Sequence, residues 1–214
     1  YPELKVTAFE GEGTEANPYK LKTLDDLILL SDKVNGEEPT YGTNTKYARP
    51  FLGKVFRMEN DIDMTNYRFE PIGADWAHQF AGTFDGNGHT ITGLTVNTGA
   101  NGYAGLFGKL DTLSVVKNVK FDKAVIQTAN YYAGVVAAWT LGDIINCHVT
   151  NSTVSNTGQT GAGGIAAIAN NVKDCSVTTS NITGAFGYAA GVSGQVNGTI
   201  SNCYAVNVSI KAGG

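Results

Sequence analysis

Short apolar blocks recur along the chain at a nearly constant interval. Val116-Lys117-Asn118-Val119-Lys120-Phe121, Ile144-Ile145-Asn146-Cys147-His148-Val149, Val172-Lys173-Asp174-Cys175-Ser176-Val177 and Ile200-Ser201-Asn202-Cys203-Tyr204-Ala205 each begin 28 residues after the last. The first, fourth and sixth places are apolar, and the third is Asn or Asp. A second set follows, Ala104-Gly105-Leu106-Phe107-Gly108, Ala133-Gly134-Val135-Val136-Ala137, Ala162-Gly163-Gly164-Ile165-Ala166 and Ala190-Gly191-Val192-Ser193-Gly194, at steps of 29, 29 and 28. A third column is Ile126, Val154, Ile182 and Ile210. A fixed period of this size is the signature of a solenoid. Each repeat holds three short apolar stretches separated by Gly, Asn, Ser and Thr, none long enough for an ordinary helix. The pattern predicts an all-β chain, a parallel β-helix of five or six coils with three short strands each. The rule for parallel crossovers makes it right-handed.

The three-residue offset from Val116 to Val119 breaks strict alternation, so a corner falls at Lys117-Asn118. Asn tolerates the left-handed backbone region better than most residues. Gly93, Asn118, Asn146, Asp174 and Asn202 are expected to stack there as a side-chain ladder. Leu94, Val119, Cys147, Cys175 and Cys203 should point inward as the next column. The Ala-Gly pairs suit a backbone passing close to the opposite wall. Trp139, in a column with Leu110, Ile168 and Val196, reads as core packing, with an exposed ligand platform as the alternative.

Before the repeats the pattern changes. Residues 1–13 read as a linker or lead-in strand. Residues 14–54 read as an N-terminal cap with a helix over 24–34: Thr23 is the N-cap, Asp25 and Asp26 favour the positive end, and Gly36 stops it. Leu24, Leu27, Ile28, Leu30 and Val34 form its apolar stripe. Solenoid ends need covering, and this helix is assigned to the N-terminal mouth. Residues 55–214 are the β-helix, with an irregular first coil over 55–80 and regular coils over 81–214. Ile62 and Met64 are matched to Leu94 and Val96. No cap is visible after Ile210. The expectation is that the natural chain continues past Gly214, or that two copies associate end to end through the uncapped coil. The chain opens at Tyr1 with no signal peptide, as a processed chain would.

Composition narrows the classes. Charged residues are 16 % of the chain and the net charge is −4, with no basic run, which argues against nucleic acid. No apolar run approaches the roughly 18 residues of a membrane span. Glycine, 27 of 214 residues, suits a turn-rich β structure. The three cysteines share one repeat position and lack CxxC spacing, so they read as buried free thiols.

The ordered combination Asn17-Pro18-Tyr19, Asp61-Ile62-Asp63-Met64, Pro71-Ile72-Gly73, Gly82-Thr83-Phe84-Asp85-Gly86-Asn87-Gly88-His89-Thr90-Ile91 and Ala104-Gly105-Leu106-Phe107-Gly108 resembles the GLUG-motif proteins, with Gly105-Leu106-Phe107-Gly108 as the motif. The resemblance covers roughly 17–210. It implies a bacterial secreted or cell-surface protein with parallel β-helix repeats of the kind found beside immunoglobulin A metallopeptidases and adhesins. It brings no catalytic residue.

Candidate chemistry is sparse. Asp61 and Asp63 open a calcium-like loop, but it lacks Gly at its sixth place and Glu at its twelfth, so they are a weak metal candidate. Asp85-Gly86-Asn87-Gly88 is turn chemistry without the Lys of a phosphate loop. There is no HExxH. Region 124–214 holds only two acids, Asp143 and Asp174, and no Arg. A glycosidase or polysaccharide lyase needs clustered carboxylates. The alternative reading of a carbohydrate-active enzyme therefore rests on the irregular 60–90 region, with Asp61, Asp63, Asp75, His78 and Asp85. Tyr103, Tyr131, Tyr132 and Tyr188, with Phe186 nearby, precede the Ala-Gly steps, where the rings either cover the corner and shield the sheet edge or stack on sugars as a ligand-binding column. The leading expectation is a non-catalytic module, adhesin or stalk, that binds host glycan or protein through a side of the solenoid and uses no cofactor; a structural spacer with no ligand is a further reading.

Overall fold

A computed structural model describes residues 7–36, 49–100, 102–185 and 187–213. The chain forms a parallel β-solenoid of about six turns. One sheet of seven strands runs from Tyr19–Leu21 through Val55–Met58, Thr83–Asp85, Val115–Lys117, Asp143–Ile145 and Asn171–Lys173 to Ile200–Ser201. Sheets of six, five, four and three strands complete the wall. The inward column Phe56, Phe84, Val116, Ile144, Val172 and Ile200 is held in register from coil to coil. One continuous apolar cluster runs from Leu21 to Ile182.

A regular coil has five strands rather than three: Val115–Lys117, Lys120–Asp122, Val125–Thr128, Ala133–Gly134 and Ala137–Thr140. Left-handed corners split the apolar stretches. Asn118, Asn146, Asp174 and Asn202 occupy the first corner with φ of 57°, 52°, 55° and 52°. A second corner, missed in the sequence, holds Gly93, Lys123, Asn151, Thr179 and Asn207, with φ between 48° and 70°. The three-residue offset from Phe121 to Ala124 is its signal. Gly93 and Leu94 thus belong to the second corner, not the first, because Thr90 pairs with Lys120 and Thr95 with Val125. The Gly86-Asn87-Gly88-His89 insertion lengthens the first corner of that coil and shifts the count. Likewise Ile62 pairs with Ile91, not Leu94.

The residue after each corner has an N–H that the next coil's side chain satisfies. Cys147 N–H donates to Cys175 Sγ (3.3 Å) and Cys175 N–H to Cys203 Sγ (3.4 Å). Each thiol faces the carbonyl two residues back, Ile145, Lys173 or Ser201. At the second corner serine does the same work: Ser152 Oγ accepts from Ala124 N–H (2.9 Å) and Ser180 Oγ from Ser152 N–H (3.0 Å). The cysteines are therefore corner hydrogen-bonding groups as well as small core residues. Burial pushes the Cys147 thiol above its ordinary value, so it keeps its proton.

In the side-chain ladder, Asn146 Nδ2 donates to Asn118 Oδ1 (2.9 Å), Asn118 Nδ2 to Asp85 Oδ1 (3.0 Å) and Asn202 Nδ2 to Asp174 Oδ1 (3.0 Å). An ionised Asp174 has no proton to donate. His148 Nε2, 2.9 Å from Asn146 Oδ1, fills that gap.

Ala-Gly steps are tight for a reason other than the opposite wall. A Cβ on Gly134 would lie 2.3 Å from Ala137 O and 2.6 Å from Ala166 Cα. The close neighbours are the turn's own carbonyl and the backbone of the next coil. The step is also one residue shorter in the first of these coils: Ala104 bridges Ala133, yet Phe107 pairs with Ala137. In the last, Ala189 rather than Ala190 pairs with Ala162. Trp139 consequently aligns with Lys109, Ile168 and Gln195, not with Leu110 and Val196. It is half-buried and lies outside the core cluster.

The helix, Leu24–Asn35, buries Leu27, Leu30 and Val34 in the common core. The Asp26 carboxylate reaches back to accept from Thr23 N–H and Lys22 N–H, both at 2.9 Å, the return half of a capping box that fixes the helix entry. At its far end Asn35 clamps the 71–74 segment: Nδ2 donates to Pro71 O (3.0 Å), and Oδ1 accepts from Gly73 N–H and Ala74 N–H. At the other end of the solenoid Ile200, Tyr204, Val206 and Ile210 of the last coil are exposed. No helix among the described residues is long and apolar enough to cross a membrane.

Two substitutions test these contacts by urea unfolding. Cys175→Val strips the acceptor from a buried N–H and should cost about 1–3 kcal/mol, whereas Cys175→Ser should stay within about 1 kcal/mol of the parent. Asn35→Ala should cost about 1–3 kcal/mol by leaving the Gly73 and Ala74 N–H groups unpaired.

Candidate functional site: an aromatic patch around a buried lysine

The first irregular coil lays an additional rung beside the strand Phe107–Leu110. Ile72 bridges Phe107 and Phe80 bridges Leu110. Gly73 O accepts from Lys109 N–H (2.8 Å), and Lys109 O accepts from Phe80 N–H (3.2 Å). The loop between these contacts carries Trp76 over Lys109. Asp75 Oδ1 shapes it by accepting from Ala77 N–H and His78 N–H, and lies 2.8 Å from His78 Nδ1. Gln79 Nε2 donates to Trp76 O, and the Asn35 clamp fixes the loop's root.

Under this loop the Lys109 side chain is fully buried, 0 % exposed, and Nζ has no hydrogen-bond partner among the described residues. Aromatic rings surround it instead. Nζ lies 2.9 Å from the Trp76 centroid, 4.1 Å from that of Trp139 and 4.8 Å from that of Tyr103. Such contacts favour a cation through the ring quadrupole. Burial works the other way and pushes the Lys109 ammonium down to about 7.

All four predicted tyrosines join this cluster. Tyr103 lies 5.0 Å from Tyr131 and 6.2 Å from Tyr132, ring centre to ring centre, and Tyr132 packs edge-on to Trp139 at 5.3 Å. Trp139 in turn lies 5.0 Å from Trp76. Burial pushes the Tyr103 phenol up to about 12, against a hydrogen bond with Trp76 that lowers it. Tyr188 lies near Tyr132, its hydroxyl donates to Gln195 Oε1 (3.4 Å), and burial raises its phenol as well. Its ring lies against Gly161, where a Cβ would come within 1.9 Å of Cε2. The repeat that lacks a tyrosine is thus covered by the next one's. Phe186 lies outside the described residues. Trp76 and Tyr131, each 40 % exposed, form the outer surface of the patch. Beside it, Tyr103 also lines a cleft of about 620 Å³ whose walls carry Asp25, Asp32, Glu70 and Tyr67.

Carboxylates proposed for an enzyme are engaged separately. Asp61 accepts from Thr90 N–H (2.8 Å) and pairs with His89 at 3.1 Å, and these bonds lower its pKa. Asp63 is lowered by its bonds to the Thr65 hydroxyl and N–H. Asp75 is committed to its own loop. Asp85 is buried between Arg57 (3.5 Å), Lys117 (3.8 Å) and Asn118. Among the described residues no group of three or more His, Cys, Asp or Glu is placed to hold a metal ion.

No family model matches the chain. Over 162 residues, 71 % of its length, it is 30 % identical to halomucin of Haloquadratum walsbyi. Over 149 residues, 65 % of its length, it is 33 % identical to a protein of Evansella cellulosilytica provisionally named a Gly-rich membrane protein. The chain spans 2 % and 15 % of these relatives' lengths. A solved structure from Bacteroides ovatus, provisionally assigned as an immunoglobulin A1 protease, superposes with a TM-score of 0.71 at 21 % identity. The match covers 94 % of this chain and 64 % of that one, and it shows the fold.

Trp76, Lys109 and Trp139 were not singled out as site residues in the sequence. Trp139 lay one position out of its true column. Trp76 stands in a loop with no repeat to place it.

Lys109→Met provides a stability test with a definite sign. The lysine's ordinary value is 10.5, against about 7 in the fold. Below pH 7 both folded and unfolded chains carry the proton, so the full cost of burying the charge is felt. Between pH 7 and 10.5 the unfolded chain binds the extra proton, so parental stability rises with pH. The variant should gain about 1–2 kcal/mol at pH 6, the ring contacts offsetting part of the burial cost, and the gain should fade towards pH 10.5. Urea unfolding at a series of pH values reads this directly.

Proposed function

We propose that this chain is a non-catalytic solenoid module of an extracellular or cell-surface protein, and that it engages glycan through the patch of Trp76, Tyr103, Tyr131, Tyr132 and Trp139. The observation that carries the reading is the convergence of these rings on one surface, with Trp76 and Tyr131 open to solvent. Flat sugar faces stack on such rings, while phenol and indole edges supply hydrogen bonds. The separate engagement of Asp61, Asp63, Asp75 and Asp85 gives the glycosidase or lyase reading no paired carboxylates to work with. The names of the relatives, a halomucin and a Gly-rich membrane protein, and the GLUG-motif resemblance support a surface location. Adhesion to host glycan is the role this arrangement suits. A bare stalk would have no use for the patch.

The test is a glycan array followed by calorimetry on the folded protein. Trp76→Ala and Tyr131→Ala should each weaken glycan binding by about tenfold. Tyr204→Ala, on the exposed last coil, should leave it unchanged. Undiminished binding by the Trp76→Ala/Tyr131→Ala double variant would remove the site from the patch. A folded protein that binds no glycan would leave the stalk reading in its place.

A further inference from the structure

We infer that the saccharide held on the aromatic patch is acidic, its anionic group supplying the counter-charge that the buried Lys109 ammonium lacks among the described residues. This rests on the glycan-binding reading and names the ligand class for the same site.

Lys109 is an unusual buried cation. Its Nζ is fully enclosed, accepts no carboxylate partner among the described residues and donates no hydrogen bond. Buried charges are ordinarily paired, because desolvation is otherwise uncompensated. The groups that face it are few. From the 73–80 loop come Asp75 and His78, which are bonded to one another, with Asp75 further engaged by two backbone N–H groups. From the 102–103 segment comes the Tyr103 phenol, and beyond it the phenols of Tyr131 and Tyr132. The strand Ala137–Thr140 contributes the Trp139 indole and no charge. Two residues on, just past the end of its strand, Asp111 is paired with Arg49 at 3.0 Å. Among the described residues no carboxylate is hydrogen-bonded to the ammonium.

That charge reaches the surface through Trp76. The ammonium sits over one face of the indole, which is still 40 % exposed. A cation on one face of a ring draws on its quadrupole, and a ligand that packs on the exposed part of the indole meets a positive field. A ligand there lies close to the ammonium, with the ring rather than water between them. A carboxylated or sulfated sugar gains from this field, a neutral sugar does not, and an amino sugar is repelled. The neighbouring cleft has the opposite character. Asp25, Asp32 and Glu70 line its walls against one cation, Arg68, so the net charge of the cleft favours an acidic chain less than the surface over Trp76 and Tyr131 does.

The protonation state of Lys109 links binding to pH. Burial holds its ammonium near 7, so part of the population is neutral at neutral pH. An anionic ligand favours the charged form and must draw a proton onto Lys109 as it binds. A neutral ligand has no such effect.

Calorimetry on the full chain decides the matter. The probes are an oligogalacturonate, a sulfated heparin-derived oligosaccharide and a neutral N-acetylglucosamine oligomer, each at pH 6 and pH 8 in two buffers of different ionisation enthalpy. At least one acidic probe should bind about tenfold tighter than the neutral one at pH 6. The advantage should shrink at pH 8, and proton uptake should accompany acidic binding only. The two acidic probes separate carboxylate from sulfate. Lys109→Met should lose both the preference and the proton uptake. Lys109→Arg, permanently charged, should keep the preference at both pH values without proton uptake, a result that a purely structural lysine would not give. Equal binding of acidic and neutral probes, or a preference that survives in Lys109→Met, overturns the inference and leaves the glycan reading standing. Failure of every oligosaccharide to bind overturns both.

Discussion

The hydrogen bond that the rest of the solenoid depends on is made at its corners. A parallel stack must turn sharply within each coil, and the left-handed residue that makes the turn leaves the following N–H off the strand ladder. In this chain the side chain of the equivalent residue one coil on accepts that N–H, through sulfur at the first corner and oxygen at the second. Because donor and acceptor lie on different coils, the bond fixes register as well as satisfying a buried polar group. Every inward column follows from it, since a slip of one residue would turn the apolar set outward.

A regular stack of this kind makes smooth walls, and function needs a departure from them. The departure is the first coil. Its 72–80 segment lies beside Phe107–Leu110 as an additional rung, and its loop projects over the wall instead of joining it. Helix residue Asn35 holds the root of that loop through three hydrogen bonds. The N-terminal element thus serves two purposes. It adds Leu27, Leu30 and Val34 to the common core, and through Asn35 it anchors the root of the loop that carries Trp76 above Lys109.

Under the proposed reading, Lys109 sets stability against recognition. A methionine of similar length would fill the same space without the cost of a buried charge. Sites that keep a costly group commonly do so for what it offers a ligand. Here the group is a cation held by rings, and the rings are also the surface on which a sugar would lie.

By itself the sequence determined the architecture. The 28-residue period, the Asn and Asp corners and the cysteine column are all visible because each coil repeats the same physical problem and answers it with similar residues. The second corner was equally legible, since Phe121 to Ala124 repeats the offset of Val116 to Val119. The tyrosine column could be read for the same reason. Only the tertiary structure decided the site. Trp76 lies outside the repeat. Trp139 was one place out of register because the coil containing Gly105 is a residue short between Ala104 and Phe107. Nothing in the local sequence of Lys109 marks it as buried. Its burial comes from a loop thirty residues earlier folding over it, a contact between unlike segments that no periodicity encodes.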